Sequence, residues 1–213
     1  MAKTPIKSGS LDGVIKDLEA ELQKNPNSVI AAHRLALAYW RKERFDDAIK
    51  TFKKALTIDP SSYELHINLG TLYFQLGKLE EGIKANEKAL KIHPRSAEAM
   101  ANIGSAYVQM RKWKEAAELF QKALQIKPEM VVVWTNLSTV LVELDQLEDA
   151  VAAGKKAVQL APTFGLAHNN LAVASYYNKD YETAKIHLNK AKELGYPVHE
   201  AFEQKVAEAL AGA

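Results

Sequence analysis

Residues 100–128 read MANIGSAYVQMRKWKEAAELFQKALQIKP. Ile103, Gly104 and Tyr107 recur at helical spacing, and Ala116, Phe120 and Ala123 do the same after a polar break at Arg111-Lys112. Apolar or small residues three and four apart mark one face of an amphipathic helix. Pro128 closes the block, since proline lacks the amide N–H and clashes with the turn before it. The stretch predicts two short helices joined by a tight turn.

The same block recurs on both sides. Prolines stand at 26, 60, 94, 128 and 162, and every gap is identical. An aliphatic residue lies two positions before each of the last four: Ile58, Ile92, Ile126 and Leu160. Leu194 continues that column, but Pro197 comes one residue late, so the Leu194–Pro197 loop carries an insertion. Gly70, Gly104, Ser138 and Ala172 form one small-residue column, and Ala48, Gly82, Ala116, Ala150 and Ala184 form another. Antiparallel helices approach closely only where side chains are small, so the two columns are expected to face each other.

The segments His66–Pro94 (Leu69, Gly70, Tyr73, Gly82, Ala89, Pro94) and Met100–Pro128 (Ile103, Gly104, Tyr107, Ala116, Phe120, Ala123, Pro128) resemble the tetratricopeptide repeat (TPR). The period of that repeat, about 34 residues, is also the one at which the prolines fall. The resemblance covers residues 29–198 as five repeats: 29–62, 63–96, 97–130, 131–164 and 165–198. It implies an all-α, right-handed superhelix, an α-solenoid. Residues 11–28 are expected to form an N-terminal capping helix, 199–213 a closing one, and 1–10 a disordered leader. Expected helices are 11–24, 29–42, 45–57, 63–76, 79–91, 97–110, 113–125, 131–144, 147–159, 165–178, 181–194 and 199–211. Two departures suggest paired compensation: His66 with Asn86 by hydrogen bond, and the Trp134 ring filling space left by Gly154.

Composition narrows the function. There is no cysteine, so disulfides, thiolate chemistry and cysteine metal sites are excluded. A net charge of +2 does not argue for nucleic acid. No apolar run has the length of a secretory signal core or a membrane span, so a soluble, cytoplasmic protein is expected. No phosphate-binding loop, dinucleotide fingerprint or His-Glu-x-x-His motif occurs, and the six histidines are scattered. No enzyme, cofactor or metal site is expected. Charge is uneven: residues 29–62 hold seven basic and four acidic residues, whereas 131–164 hold two and four.

The polar column most suggestive of function is asparagine. Asn68, Asn102, Asn136 and Asn170 recur once per repeat on successive first helices, and Arg34 holds that place in the first repeat. The column lies one residue before the Leu/Ile core column, so it is expected on the inner, concave wall. A carboxamide offers one acceptor and two donors, which suits a peptide backbone of any sequence. Trp40, Arg41, Phe74, Asn169, Tyr176 and Tyr177 are expected on the same wall as anchors. Two readings of the column stay open: a peptide reader, or a solvated habit of the fold. If the carboxamides are exposed, alanine in their place leaves stability nearly unchanged.

The resemblance implies a scaffold or adaptor that holds an extended peptide or a helix of a partner protein in its groove. Alternatives are a self-associating assembly protein, hence a possible homo-oligomer, or an accessory factor for one enzyme's maturation or localisation. Chaperone-binding members grip a C-terminal carboxylate with Lys, Asn and Arg residues. At those places this chain has His33, Leu37, Asn68, Glu98 and Asn102, of which only Asn68 matches, so a carboxylate-clamp co-chaperone is not expected.

Overall fold

The structure, a computed structural model, describes residues 10–212; residues 1–9, which hold nearly all of the expected leader, and residue 213 lie outside the described residues. Twelve helices and no strand occur among the described residues. They are α1 (Leu11–Lys24), α2 (Val29–Arg41), α3 (Phe45–Ile58), α4 (Tyr63–Gln75), α5 (Leu79–Ile92), α6 (Ala97–Gln109), α7 (Trp113–Ile126), α8 (Val131–Glu143), α9 (Leu147–Leu160), α10 (Gly165–Tyr177), α11 (Tyr181–Glu193) and α12 (Glu200–Ala211). Every end lies within one residue of the sequence expectation.

The chain divides into two compact units, the first ending at Pro94 and the second beginning at Arg95. In the first, α1 packs on α2, and the hairpins α2–α3 and α4–α5 enclose a core around Phe52, Leu65 and Leu72. In the second, the hairpins α6–α7, α8–α9 and α10–α11 share a core around Phe120, Val140 and Leu171. There α12 packs on α11, with Val206 buried beside Leu188.

The turn inside each hairpin follows one hydrogen-bond pattern. In the first, Glu43 N–H donates to the Trp40 carbonyl and Arg44 N–H to the Tyr39 carbonyl. This is the Schellman closure, which requires a left-handed residue just past the helix. Glu43, Gly77, Arg111, Asp145 and Lys179 take that place with φ of 55–70°. Only Gly77 adopts it without a Cβ penalty. Between hairpins, the residue before proline is extended: Asp59 has φ −125° and ψ 88°, and His93 has φ −127° and ψ 86°. Proline forces that geometry on its predecessor, which ends α3 and α5. Ser28, Ser62 and Ser96 then cap α2, α4 and α6, each accepting from the N–H three residues on. Met130 and Phe164 hold the same place before α8 and α10 and give no side-chain cap.

The small columns do face other side chains at close range. A Cβ on Gly104 would lie 2.7 Å from Phe120 Cε1, and one on Gly82 would overlap the Phe74 ring. The residues of the two expected compensating pairs bond or pack on other groups. His66 Nε2 bonds the Pro60 carbonyl at 3.2 Å, whereas Asn86 Nδ2 donates to the Gly82 carbonyl at 2.9 Å and presses against Gly70. The two columns point different ways: one returns to the preceding turn, the other inserts between the helices of its own hairpin. Trp134 likewise donates Nε1–H to the Pro128 carbonyl at 2.8 Å, and His168 Nε2 lies 3.0 Å from the Pro162 carbonyl. The space beside Gly154 is taken by Leu171, whose Cα would stand 3.2 Å from an added Cβ. The ring nitrogen in that column therefore serves a proline carbonyl six positions back.

Candidate functional site

The asparagine column lies on first helices, and its carboxamides are half-buried. Asn170 on α10 reaches across to α8: its Nδ2 lies 2.8 Å from Thr139 Oγ1 and 3.3 Å from the Thr135 carbonyl. Its Oδ1 accepts from Asn169 Nδ2 at 3.3 Å. In the first unit Asn68 Nδ2 lies 2.7 Å from His33 Nε2 on the neighbouring first helix. With Asn68 as donor, that His33 nitrogen is the acceptor and the ring is neutral. Burial lowers the His33 pKa, partly opposed by Glu64, which fits the neutral ring. Asn102 on α6 and Asn136 on α8 are half-buried in the same column. The expectation of freely exposed carboxamides is thus corrected for Asn68 and Asn170. Each already ties its helix to the preceding first helix, so alanine there costs stability of about 0.5–1.5 kcal/mol per bond.

The structure brings Asn170 and Tyr177 together. Both line a cavity of about 500 Å³ on the α8–α10 face, with Thr139, Val142 and Val173. Glu143 and Asp145 stand at its edge and are exposed. Tyr177 is 53% exposed, so its ring is open to a ligand. Tyr176 meets the Tyr177 ring edge-on at 5.5 Å and joins it to a ring cluster with Tyr181 and Phe202, at 5.6 and 5.5 Å, on the side of α12. In the first unit Trp40 donates Nε1–H to Gln75 Oε1 at 2.7 Å and meets the Phe52 edge at 6.4 Å. Phe74 lies over Gly82 within its own hairpin, while Arg34 and Arg41 are exposed on α2. Thr139, Val142 and Val173 escaped the sequence reading. Thr139 was signalled by its place in the repeat: it precedes Asn170 by nearly one full period, which puts it on the same face of the preceding first helix.

Among the described residues, no group of three or more His, Asp or Glu side chains could hold a metal ion. No helix there is long and apolar enough to cross a membrane.

Three family models match: Tetratricopeptide repeat over residues 62–129, TPR repeat over 41–77, and Tetratricopeptide repeat over 107–153. Together they span residues 41–153, more than half of the chain. The chain belongs to the tetratricopeptide repeat family. Among solved structures this TPR chain is similar to MamA, with 25% identity and a TM-score of 0.69 over 76% of this chain and 94% of that one. It is also similar to YrrB, described as a TPR protein with an unusual peptide-binding site (18% identity, TM-score 0.71, 92% and 99% covered). The Cut9–Hcn1 hetero-tetramer of the APC/C matches with 16% identity and a TM-score of 0.77, covering 94% of this chain and 40% of that one. Comparison with curated proteins returned no match. The TPR architecture is that of a protein-interaction scaffold in the general sense.

Proposed function

We propose that the chain is a non-catalytic adaptor that binds an extended segment of a partner protein on its first-helix face. The observation that supports this most is the cavity where Asn170 and Tyr177 meet. Thr139 and Asn170 supply polar groups there, Val142 and Val173 supply apolar wall, and Tyr177 supplies a ring to stack or clamp. A few placed polar groups on a largely apolar wall are the usual make-up of a recognition pocket. YrrB is a peptide-binding example of the same fold, and the proposal carries that class of ligand to this chain.

The internal bonds sharpen the role of the asparagines. Asn170 commits its donors to α8, so it meets a ligand as an acceptor through Oδ1, for a peptide N–H. Holding the carboxamide in place beforehand lowers the ordering cost of binding. In the second unit Asn102, Asn136 and Asn170 offer this group on α6, α8 and α10. One net bond from each contributes about 0.5–1.5 kcal/mol, and micromolar affinity needs about 8 kcal/mol. The column therefore orients the ligand, and the apolar cavity with Tyr177 anchors it. Glu143 and Asp145 favour a basic ligand residue at that edge, as Arg34 and Arg41 favour an acidic one on α2.

Peptides selected from a random display library on the immobilised full chain test this. Their affinity, measured by calorimetry, falls about tenfold or more, near 1.4 kcal/mol, in Tyr177→Ala and in Val173→Glu. Unchanged affinity in both variants removes the cavity from the account.

A further inference from the structure

A second groove lies on the other side of α4, between the second helices α3 and α5, and encloses about 660 Å³. Its floor is apolar: Leu56 from α3, Leu69 and Tyr73 from α4, and Ala85 from α5. Its rim is basic. Lys53 stands on α3, and Lys84, Lys88 and Lys91 stand on α5 at successive spacings of four and three. That spacing puts the three on one face of α5 over about 10 Å, or two turns. The single carboxylate on the rim is Glu81. None of the four lysines joins an ion pair among the described residues, although other lysines of the chain do.

The second unit carries the same groove two repeats later and serves as an internal reference. There a cavity of about 530 Å³ lies between α7 and α9, and its lining repeats the same columns. Leu124, Leu137 and Ala153 match Leu56, Leu69 and Ala85, so the apolar floor belongs to the fold. The rim differs. Gln121 replaces Lys53, Ala152 replaces Lys84, Gln159 replaces Lys91, and Asp149 matches Glu81. Lys156 alone matches a rim lysine, and its ammonium donates to Gln159 at 3.2 Å. The repeat alone does not demand a basic rim, so the four unpaired cations are a property of the α3–α5 groove.

We propose that this groove is a second docking site, which takes an acidic amphipathic helix of a partner protein. Such a helix lays apolar residues three and four apart on the Leu56–Leu69–Ala85 floor. Its Glu or Asp side chains, at the same spacing, meet Lys84, Lys88 and Lys91 along two turns. Charge complementarity of this kind sets partner choice and speeds encounter. The groove is open to solvent and its four lysines are exposed, which suits a polypeptide whose far face stays in water. A small amphiphile would need an enclosed pocket covering most of its surface. The site is separate from the asparagine face, so either proposal can fail alone.

The test uses the full chain and a fluorescein-labelled peptide, AELEALLEELEALLEA, with fluorescence anisotropy as the readout. A control peptide carries lysine at every glutamate. The acidic peptide binds, and raising salt from about 50 to about 300 mM weakens it, because these charges are solvent-exposed. The double variant Lys84→Glu/Lys88→Glu weakens binding about tenfold or more, whereas Lys156→Glu in the reference groove leaves it unchanged. All three positions are on the solvent side of their helices, and circular dichroism confirms that the variants fold. The proposal is overturned if the acidic peptide does not bind, if the lysine peptide binds equally, or if the double variant binds like wild type. It is also overturned if sedimentation shows a wild-type dimer that the double variant loses, which would put a second copy in the groove. Oleate binding with the same lysine dependence and no peptide binding would assign the site to an amphiphile instead.

Discussion

Gly104→Ala weighs two opposing effects that the structure separates. Alanine is about 0.8–1.0 kcal/mol more favourable than glycine inside a helix, so an unconstrained site would gain that stability. Here the added Cβ would meet Phe120 Cε1 at 2.7 Å, Cδ1 at 2.9 Å and Cζ at 3.3 Å. Carbon atoms rest about 3.5–4.0 Å apart, so the ring must retreat by nearly 1 Å. Phe120 is 0% exposed and has no solvent to move into. Overpacking of this kind costs about 1–3 kcal/mol, so the net expectation is a loss of about 1 kcal/mol. Urea unfolding followed by far-ultraviolet circular dichroism and by tryptophan fluorescence measures it, two probes being needed because repeat arrays can unfold in parts. Adding Phe120→Leu should return part of the loss, with a coupling of about 1 kcal/mol in a double-mutant cycle. A Gly104→Ala protein more stable than wild type by the full propensity difference, or no coupling to Phe120, would mean that the Phe120 ring does not crowd position 104.

The turns and the histidines can be perturbed in the same way. Arg111 holds φ 55° in the hairpin turn between α6 and α7, so Arg111→Gly should stabilise the chain by about 0.5–1 kcal/mol in the same urea assay, after the larger unfolded-state entropy of glycine is offset. A lower midpoint would mean the arginine side chain contributes something the structure does not display. His168 and His187 meet Nδ1 to Nδ1 at 2.9 Å, so one of these two nitrogens carries no proton, and His168 Nε2 lies 3.0 Å from the Pro162 carbonyl. Burial, then His168 and Lys155, lower the His187 pKa, and burial also lowers those of His33 and His66. A histidine whose folded pKa is depressed adds stability that is whole above its unfolded value of about 6.5 and is lost as pH falls below it. The urea midpoint should therefore drop between about pH 7.5 and 5, and drop less in His187→Gln; a flat profile in wild type would contradict this.

The repeat period made the helices legible, because proline, small residues and core aliphatics each recur for a separate physical reason and all agree. Column identity told less about partners. His66 and Trp134 share a column and were open to pairing within their hairpins, yet both bond proline carbonyls, since a side chain's direction depends on helix rotation, not spacing alone. The asparagine face was legible as a column. Its bonds to the preceding helix were not, because they join groups on different repeats, and nothing in one repeat shows which group its neighbour presents. The α3–α5 groove was hidden for a related reason: Lys53 and Lys84 lie in different repeats and line one groove only when α4 packs against both α3 and α5.

The side-chain amide signals of asparagine observe the proposed contacts without altering the fold. The full chain, labelled with nitrogen-15 and titrated with a display-selected peptide, reports each Nδ2H₂ group separately in a proton–nitrogen correlation spectrum. If the carboxamides orient the ligand and the Tyr177 cavity anchors it, the Asn170 and Asn136 side-chain signals shift in step with the Tyr177 backbone amide, while Asn86, 0% exposed between the helices of its hairpin, stays in place. Saturating peptide that leaves the Asn68, Asn102, Asn136 and Asn170 signals unmoved, and shifts second-helix residues instead, would contradict it.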